Sequence, residues 1–126
     1  MKTLVVKLDS KIAKIYDWPE LDKAPKILEE SHIDHHSHLK KDEKHFAVNK
    51  FFHLVAQELD KSEEVYLLGN HITNAEFKHH LEKHNHPLLL KKIVGTDTIT
   101  AHSTDADVRE KAKDFFNKYR TFTKNY

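Results

Sequence analysis

The sequence predicts an α/β domain built on parallel strands. Three observations predict it: the continuous apolar run Val65-Tyr66-Leu67-Leu68, its abrupt end at Gly69, and the T-x-x-E pattern from Thr73 to Glu76 that opens a helix. A strand covered on both faces reads as an unbroken apolar run, because neither side of its pleat meets water. From Val65 to Phe116 the order is strand, glycine loop, capped helix, strand, glycine, capped helix, with hardly a residue left over.

Taken in order, Thr3 to Leu8 and Lys11 to Tyr16 are two β-rich runs separated by Asp9-Ser10, a hairpin signal. Leu4, Val6 and Leu8 face one way; in the second run Ile12 competes with Ala13 and Ile15 for the inside. Pro19 and Pro25 bracket a loop, and Lys26-Ile27-Leu28-Glu29-Glu30 forms a short third strand. Ser31 to Lys41 shows no apolar period, and a long structureless segment inside a compact domain is usually functional or mobile. A helix then runs from Asp42 or Glu43 to about Leu59, with Val48, Phe51, Phe52, Val55 and Leu59 on one stripe.

The second helix is expected to start at a Thr73–Glu76 capping box, with Ile72 stapled onto Phe77 and Leu81 continuing the apolar face. Asn85 and Pro87 stop it. Leu88 to Val94 is expected to be a buried strand closed by Gly95. Ser103 or Thr104 caps the last helix, where Asp105 and Asp107 in the first turn suit the macrodipole. Val108, Ala112, Phe115, Phe116 and Tyr119 form its inward stripe. Phe51, Phe52, Phe115, Phe116 and Tyr119 are read as core rather than as a stacking platform, whereas Trp18, in a polar loop, either caps one end of the core or makes an outside contact.

The chain of 126 residues suits one domain spanning 1–126, and with 38% hydrophobic and 33% charged residues it is globular with a heavily solvated surface. A formal net charge of +1 gives no global field toward polyanions, so any such contact needs a local patch. The absence of cysteine excludes disulfides and thiolate metal sites and fits a reducing compartment. The N-terminal run is too short and too alternating for a signal peptide, and no apolar run approaches the ~20 residues that span a bilayer. The expectation is a soluble cytoplasmic protein without membrane contact.

Element order is thus β-β-β-α-β-α-β-α. Three antiparallel strands followed by α-β-α-β-α is the order of a ribonuclease H-like mixed sheet with helices on both faces, and right-handed crossovers permit it. The residues Val65-Tyr66-Leu67-Leu68-Gly69, then Phe77 and Leu81, then Ile93-Val94-Gly95 and Phe115-Phe116 carry a resemblance across nearly the whole chain. They are similar to the middle domain of archaeal and eukaryotic class-1 peptide-chain release factors. They are closer still to the divergent bacterial and archaeal proteins with that domain, some labelled host-attachment proteins. Asp9, Lys11 and Ala13 also sit where those proteins place an aspartate, a basic residue and an alanine. The resemblance implies the ribonuclease H-like fold of the translational-machinery-component type, and the ribosome or RNA as partner.

The chain departs from that family where the family's chemistry lies. Release factors carry a Gly-Gly-Gln tripeptide before the long helix, and its glutamine helps water attack peptidyl-tRNA. Here the corresponding loop is Ser31-His32-Ile33-Asp34-His35-His36-Ser37-His38-Leu39-Lys40-Lys41, without glycine or glutamine. The only glycines are Gly69 and Gly95, and the sole glutamine, Gln57, lies inside the first helix. Asn70-His71-Ile72 stands where relatives have Pro-Gly and later a lysine. Peptidyl-tRNA hydrolysis by the release-factor mechanism is therefore disfavoured. Other enzymatic readings are thin too: there is no G-x-S-x-G elbow or phosphate-cradling glycine loop, and Asp9 has no second strand carboxylate aligned with it.

Twelve histidines are the compositional outlier, and His32, His35, His36 and His38 crowd this one loop. With Lys40, Lys41 and Lys44 they suit an adaptable basic patch on RNA phosphates, the lysines carrying fixed charge and the imidazoles adding charge below a pKa near ~6.5. The plainer reading is a solvated loop whose charge is offset by Glu29, Glu30 and Asp34. The leading expectation is a non-catalytic binding protein of the translation apparatus or RNA, working through His32, His35, His36, His38, Lys40, Lys41 and Lys44. The alternative is a histidine-cluster protein holding a transition metal through His35, His36 and His38, since imidazole suits Zn²⁺, Ni²⁺ and Cu²⁺. No resident cofactor is expected, because clustered histidines also pick up Zn or Ni adventitiously. His80 and His84, an i, i+4 pair, are read as chance surface histidines.

Overall fold

The computed structural model describes residues 2–29, 41–84 and 86–124, with side chains described for 2–29, 48–84 and 86–121. Five strands form one mixed sheet in the order β3-β2-β1-β4-β5. β1 (Thr3–Leu8), β2 (Ile12–Trp18) and β3 (Lys26–Glu29) pair antiparallel in sequence, while β4 (Glu64–Gly69) and β5 (Ile93–Thr98) add in parallel on the other side of β1. Only β2 therefore opposes the rest. The helices are α1 (Lys41–Leu59), α2 (His71–Lys83), a short α3 (Pro87–Lys92) and α4 (Asp105–Lys124).

The period-2 alternation of β1 explains the two cores. Leu4, Val6 and Leu8 join Ala13, Ile15, Val65 and Leu67 beneath α1 and α2, where Phe51, Phe52, Val55, Leu59, Phe77 and Leu81 meet them. Val5, Tyr16, Tyr66 and Leu68 face the opposite way, under Val108, Ala112 and Phe116 of α4. Every residue of β4 is buried, as its unbroken apolar run predicts. Burying each large side chain on these faces contributes roughly 1.5–3 kcal/mol. Ala13 and Ile15 win the inside of β2, and Ile12 is left 37% exposed. Trp18 takes the core-capping role, its ring stacked on Phe116 at 4.7 Å.

Two expectations fail locally. The second helix begins a turn earlier: Asn70 is its cap, and its side-chain oxygen accepts from the Thr73 amide at 2.7 Å. Asparagine outranks threonine as a cap, so Thr73 is buried inside the helix and Ile72, 68% exposed, staples nothing. Leu88 to Lys92 is not strand but the body of α3, which Pro87 opens at a position where its fixed φ suits a helix. A three-leucine run has no period of its own. The helix buries Leu89 and leaves Leu88 outside, and β5 begins only at Ile93.

That shift puts Gly95 inside β5 rather than at its end. A register irregularity pairs Val65 with Ile93 but Tyr66 with Gly95, so Val94 is the extra residue. Gly95 thus lies beside Tyr66 on the α4 face, and the Phe115 ring stacks on Tyr66 at 4.2 Å across that gap. The last helix starts as expected at Thr104, whose amide donates to Asp107 Oδ2 at 2.9 Å while its hydroxyl accepts from the Asp107 amide at 3.2 Å.

Candidate functional site

Three parallel strands, β1, β4 and β5, finish side by side: Leu8 pairs with Gly69, and Gly69 with Thr98. The chain leaves β4 toward β5 on one side, while β2 and β3 lie on the other side of β1. A crevice beyond the carboxyl ends of such strands is where open α/β sheets receive ligands. Here it lies between β1 and β4, lined by Lys7, Asp9, Lys14, Asn70 and Thr100.

The strand ends are locked from beneath. Asn74, buried in the second turn of α2, donates through Nδ2 to the Gly69 carbonyl at 3.3 Å and the Asp97 carbonyl at 3.1 Å, clasping β4 to β5. Its Oδ1 has no partner among the described residues. A Cβ at Gly69 would stand 2.5 Å from both Asn74 Oδ1 and the Leu8 carbonyl, so only glycine fits where these two elements close on the strand.

Each charged group on the rim has a structural tie. Asp9 Oδ1 accepts from the amides of Lys11 and Ile12, both at 2.7 Å, and so makes the hairpin turn. The Lys7 ammonium donates to the carbonyls of Ser103 at 2.8 Å and Ala101 at 3.3 Å, pinning the loop before α4 to β1. Tyr16 donates to Asp105 Oδ1 at 2.7 Å, and Lys14 approaches the same oxygen at 3.9 Å. Burial and the Asp105 carboxylate hold the Tyr16 hydroxyl protonated far above the ordinary phenol range. Apart from the Asp9 turn, these ties are not visible in local sequence, because each spans about ninety residues.

His32, His35, His36, His38 and Lys40 lie outside the described residues. Lys41 and Lys44 belong to the start of α1, and their side chains are not among those described. What the structure gives is the position of the flanks. β3 ends at Glu29, opposite Ile12, at the carboxyl edge of β1. Lys26, at the other end of β3, pairs with Glu58 in the last turn of α1 at 2.9 Å. α1 therefore runs antiparallel to β3, and its first turn points back toward the same edge as the crevice.

At the far corner, His80 contradicts its reading as a chance surface residue. It is 5% exposed, edge-on to Phe52 at 5.7 Å, and neither ring nitrogen has a partner among the described residues. Burial, with His84, His86 and His53 nearby, pushes it down to about 4, so it is neutral at physiological pH. Its i, i+4 neighbour His84 is exposed, with the rings 4.4 Å apart. Among the described residues, no three His, Asp or Glu side chains gather closely enough to share one ion as they stand. Phe115 and Tyr119, expected in the core, are only half-buried and stack on each other at 5.6 Å. No described helix is long and apolar enough to cross a membrane. No family model and no curated protein matches this chain.

Proposed function

We propose that this is a ribonuclease H-like domain of the translational-machinery-component type, related to release-factor middle domains, that binds the translation apparatus or another RNA without peptidyl-tRNA hydrolase chemistry. The observation that carries the reading is the carboxyl edge of the sheet. The five-stranded mixed sheet β3-β2-β1-β4-β5, with β2 alone reversed, supports that reading. The flank before the segment bearing His32 to Lys40, β3, ends at the edge where the β1–β4 crevice opens, and the flank after it, α1, is directed back toward that edge. A segment that carries lysines and titratable imidazoles between those flanks would supply phosphate contacts. Asp9 is engaged in its turn, which favours a structural role for this carboxylate after β1 over a nuclease role.

The test is binding to ribosomal RNA across a salt series. For single-stranded contacts the slope of log K against log salt falls by about 0.7 for each phosphate contact removed. Replacing Lys40, Lys41 and Lys44 together by Gln is expected to flatten the slope by about two units and weaken binding at every salt. An unchanged slope would remove the basic segment from the account.

A further inference from the structure

The corner where α1, α2 and α3 meet holds an arrangement that RNA binding does not use. His80 projects inward from α2 against Phe52, with both ring nitrogens buried and, among the described residues, unpaired. A neutral imidazole carries one N–H donor and one lone pair, so burying both without partners costs the desolvation of each. Such a group in a native fold calls for a missing partner. One helical turn on, the ring of His84 stands 4.4 Å away and is exposed at the helix end. His53 of α1 and His86, the residue before α3, add two further imidazoles with rings 6.0 Å apart. Among the described residues, the groups that bear electrostatically on His80 are these three histidines.

We propose that His80 and His84 chelate one divalent transition-metal ion of the Zn²⁺, Ni²⁺ or Cu²⁺ class. Histidines at i and i+4 lie on one helix face, one above the other, so two imidazoles reach one ion without backbone movement. Imidazole selects this class of metal over the hard, oxygen-seeking Mg²⁺ and Ca²⁺. The ion approaches from solvent at His84 and gives a buried His80 nitrogen the partner it lacks. As no three ligands converge among the described residues, water completes the coordination, with His53 and His86 positioned at the same corner to join by ring rotation. Gln57 Nε2 lies 3.3 Å from His53 Nε2 and would have to release that ring first.

The proposal is independent of RNA binding and is tested on the full chain stripped with EDTA. NiCl₂ and ZnCl₂ are titrated calorimetrically at about pH 7.5, where imidazoles are neutral. The thermal midpoint is followed in parallel, since an ion that binds only the folded state raises it. Wild type is expected to bind one ion in its tightest site and to gain thermal stability. His84→Ala, an exposed change, is expected to weaken that site about tenfold or more and to abolish the gain. A variant with His35, His36 and His38 all changed to Ala is expected to retain both. Equal affinity in His84→Ala and wild type overturns the proposal, as does loss of the tight site in the triple variant or no binding by wild type. Ring resonances supply a second readout: Ni²⁺ should broaden those of His80 and His84 first, and prior broadening of the loop histidines would contradict the assignment.

Discussion

Gly95 and Phe115 occupy one space: a Cβ on Gly95 would lie 2.2 Å from Cε1 of the Phe115 ring. The glycine is not there for a turn, since β5 is extended through it. It is there because Phe115 lies flat over the strand to stack on Tyr66, with ring planes 8° apart. Tyr66 donates its hydroxyl to Asp97 of β5 at 2.5 Å, so strand, ring and helix are tied in sequence.

Gly95→Ala should therefore destabilise the protein by overpacking, by roughly 1–3 kcal/mol. Urea denaturation of Gly95→Ala, Phe115→Leu and the double variant checks this. The double variant should be less destabilised than the sum of the singles, because the smaller side chain frees the space the methyl needs. Simple additivity would mean that the two residues do not contend for it.

Asn74→Ala removes both hydrogen bonds that clasp β4 to β5 and leaves two strand-end carbonyls with fewer donors. A loss of roughly 1–3 kcal/mol is expected. The local signature is faster amide exchange at Ile99, whose N–H donates to the Gly69 carbonyl at 3.1 Å. Unchanged protection at Ile99 would show that the clasp does not hold this edge.

At the opposite edge, Glu64 is a nearly buried carboxylate that accepts from both Arg120 terminal nitrogens, at 2.6 and 3.0 Å, and from Thr3 at 3.0 Å. The Arg120 hydrogen bonds hold its carboxyl below the usual range, against the opposing effect of burial. A depressed carboxylate stabilises the fold above its unfolded pKa, near ~4.3, and loses that contribution as pH falls through the folded value. Wild type should thus exceed Glu64→Gln in stability at neutral pH, and the two curves should converge in acid. A gap that stays constant through the acid limb would refute the linkage.

Much of the architecture is legible in the sequence because it rests on periodicity. The α1 stripe, the doubly covered β4 and the Thr104 cap each announce themselves within a few residues. Leu88 to Lys92 misleads because three consecutive leucines suit a buried strand and a short helix equally, and Pro87 decides between them. Asn70 is masked by a better-looking pattern three residues on. The Lys7–Ser103, Tyr16–Asp105 and Asn74–Asp97 contacts could not be read at all, since each depends on strand order rather than neighbours. His80 looks like any helical histidine until the packing of α1 shows that its side of α2 faces Phe52.

Ribosome co-sedimentation from lysate, at low and moderate salt, tests the central claim most directly. Wild type is compared with a variant in which His35, His36, Lys40 and Lys41 are all Ala. The account predicts that wild type sediments with ribosomes, less so at the higher salt, and that the fourfold variant stays in the supernatant. Failure of wild type to sediment at either salt, or equal sedimentation of the two proteins, would contradict it.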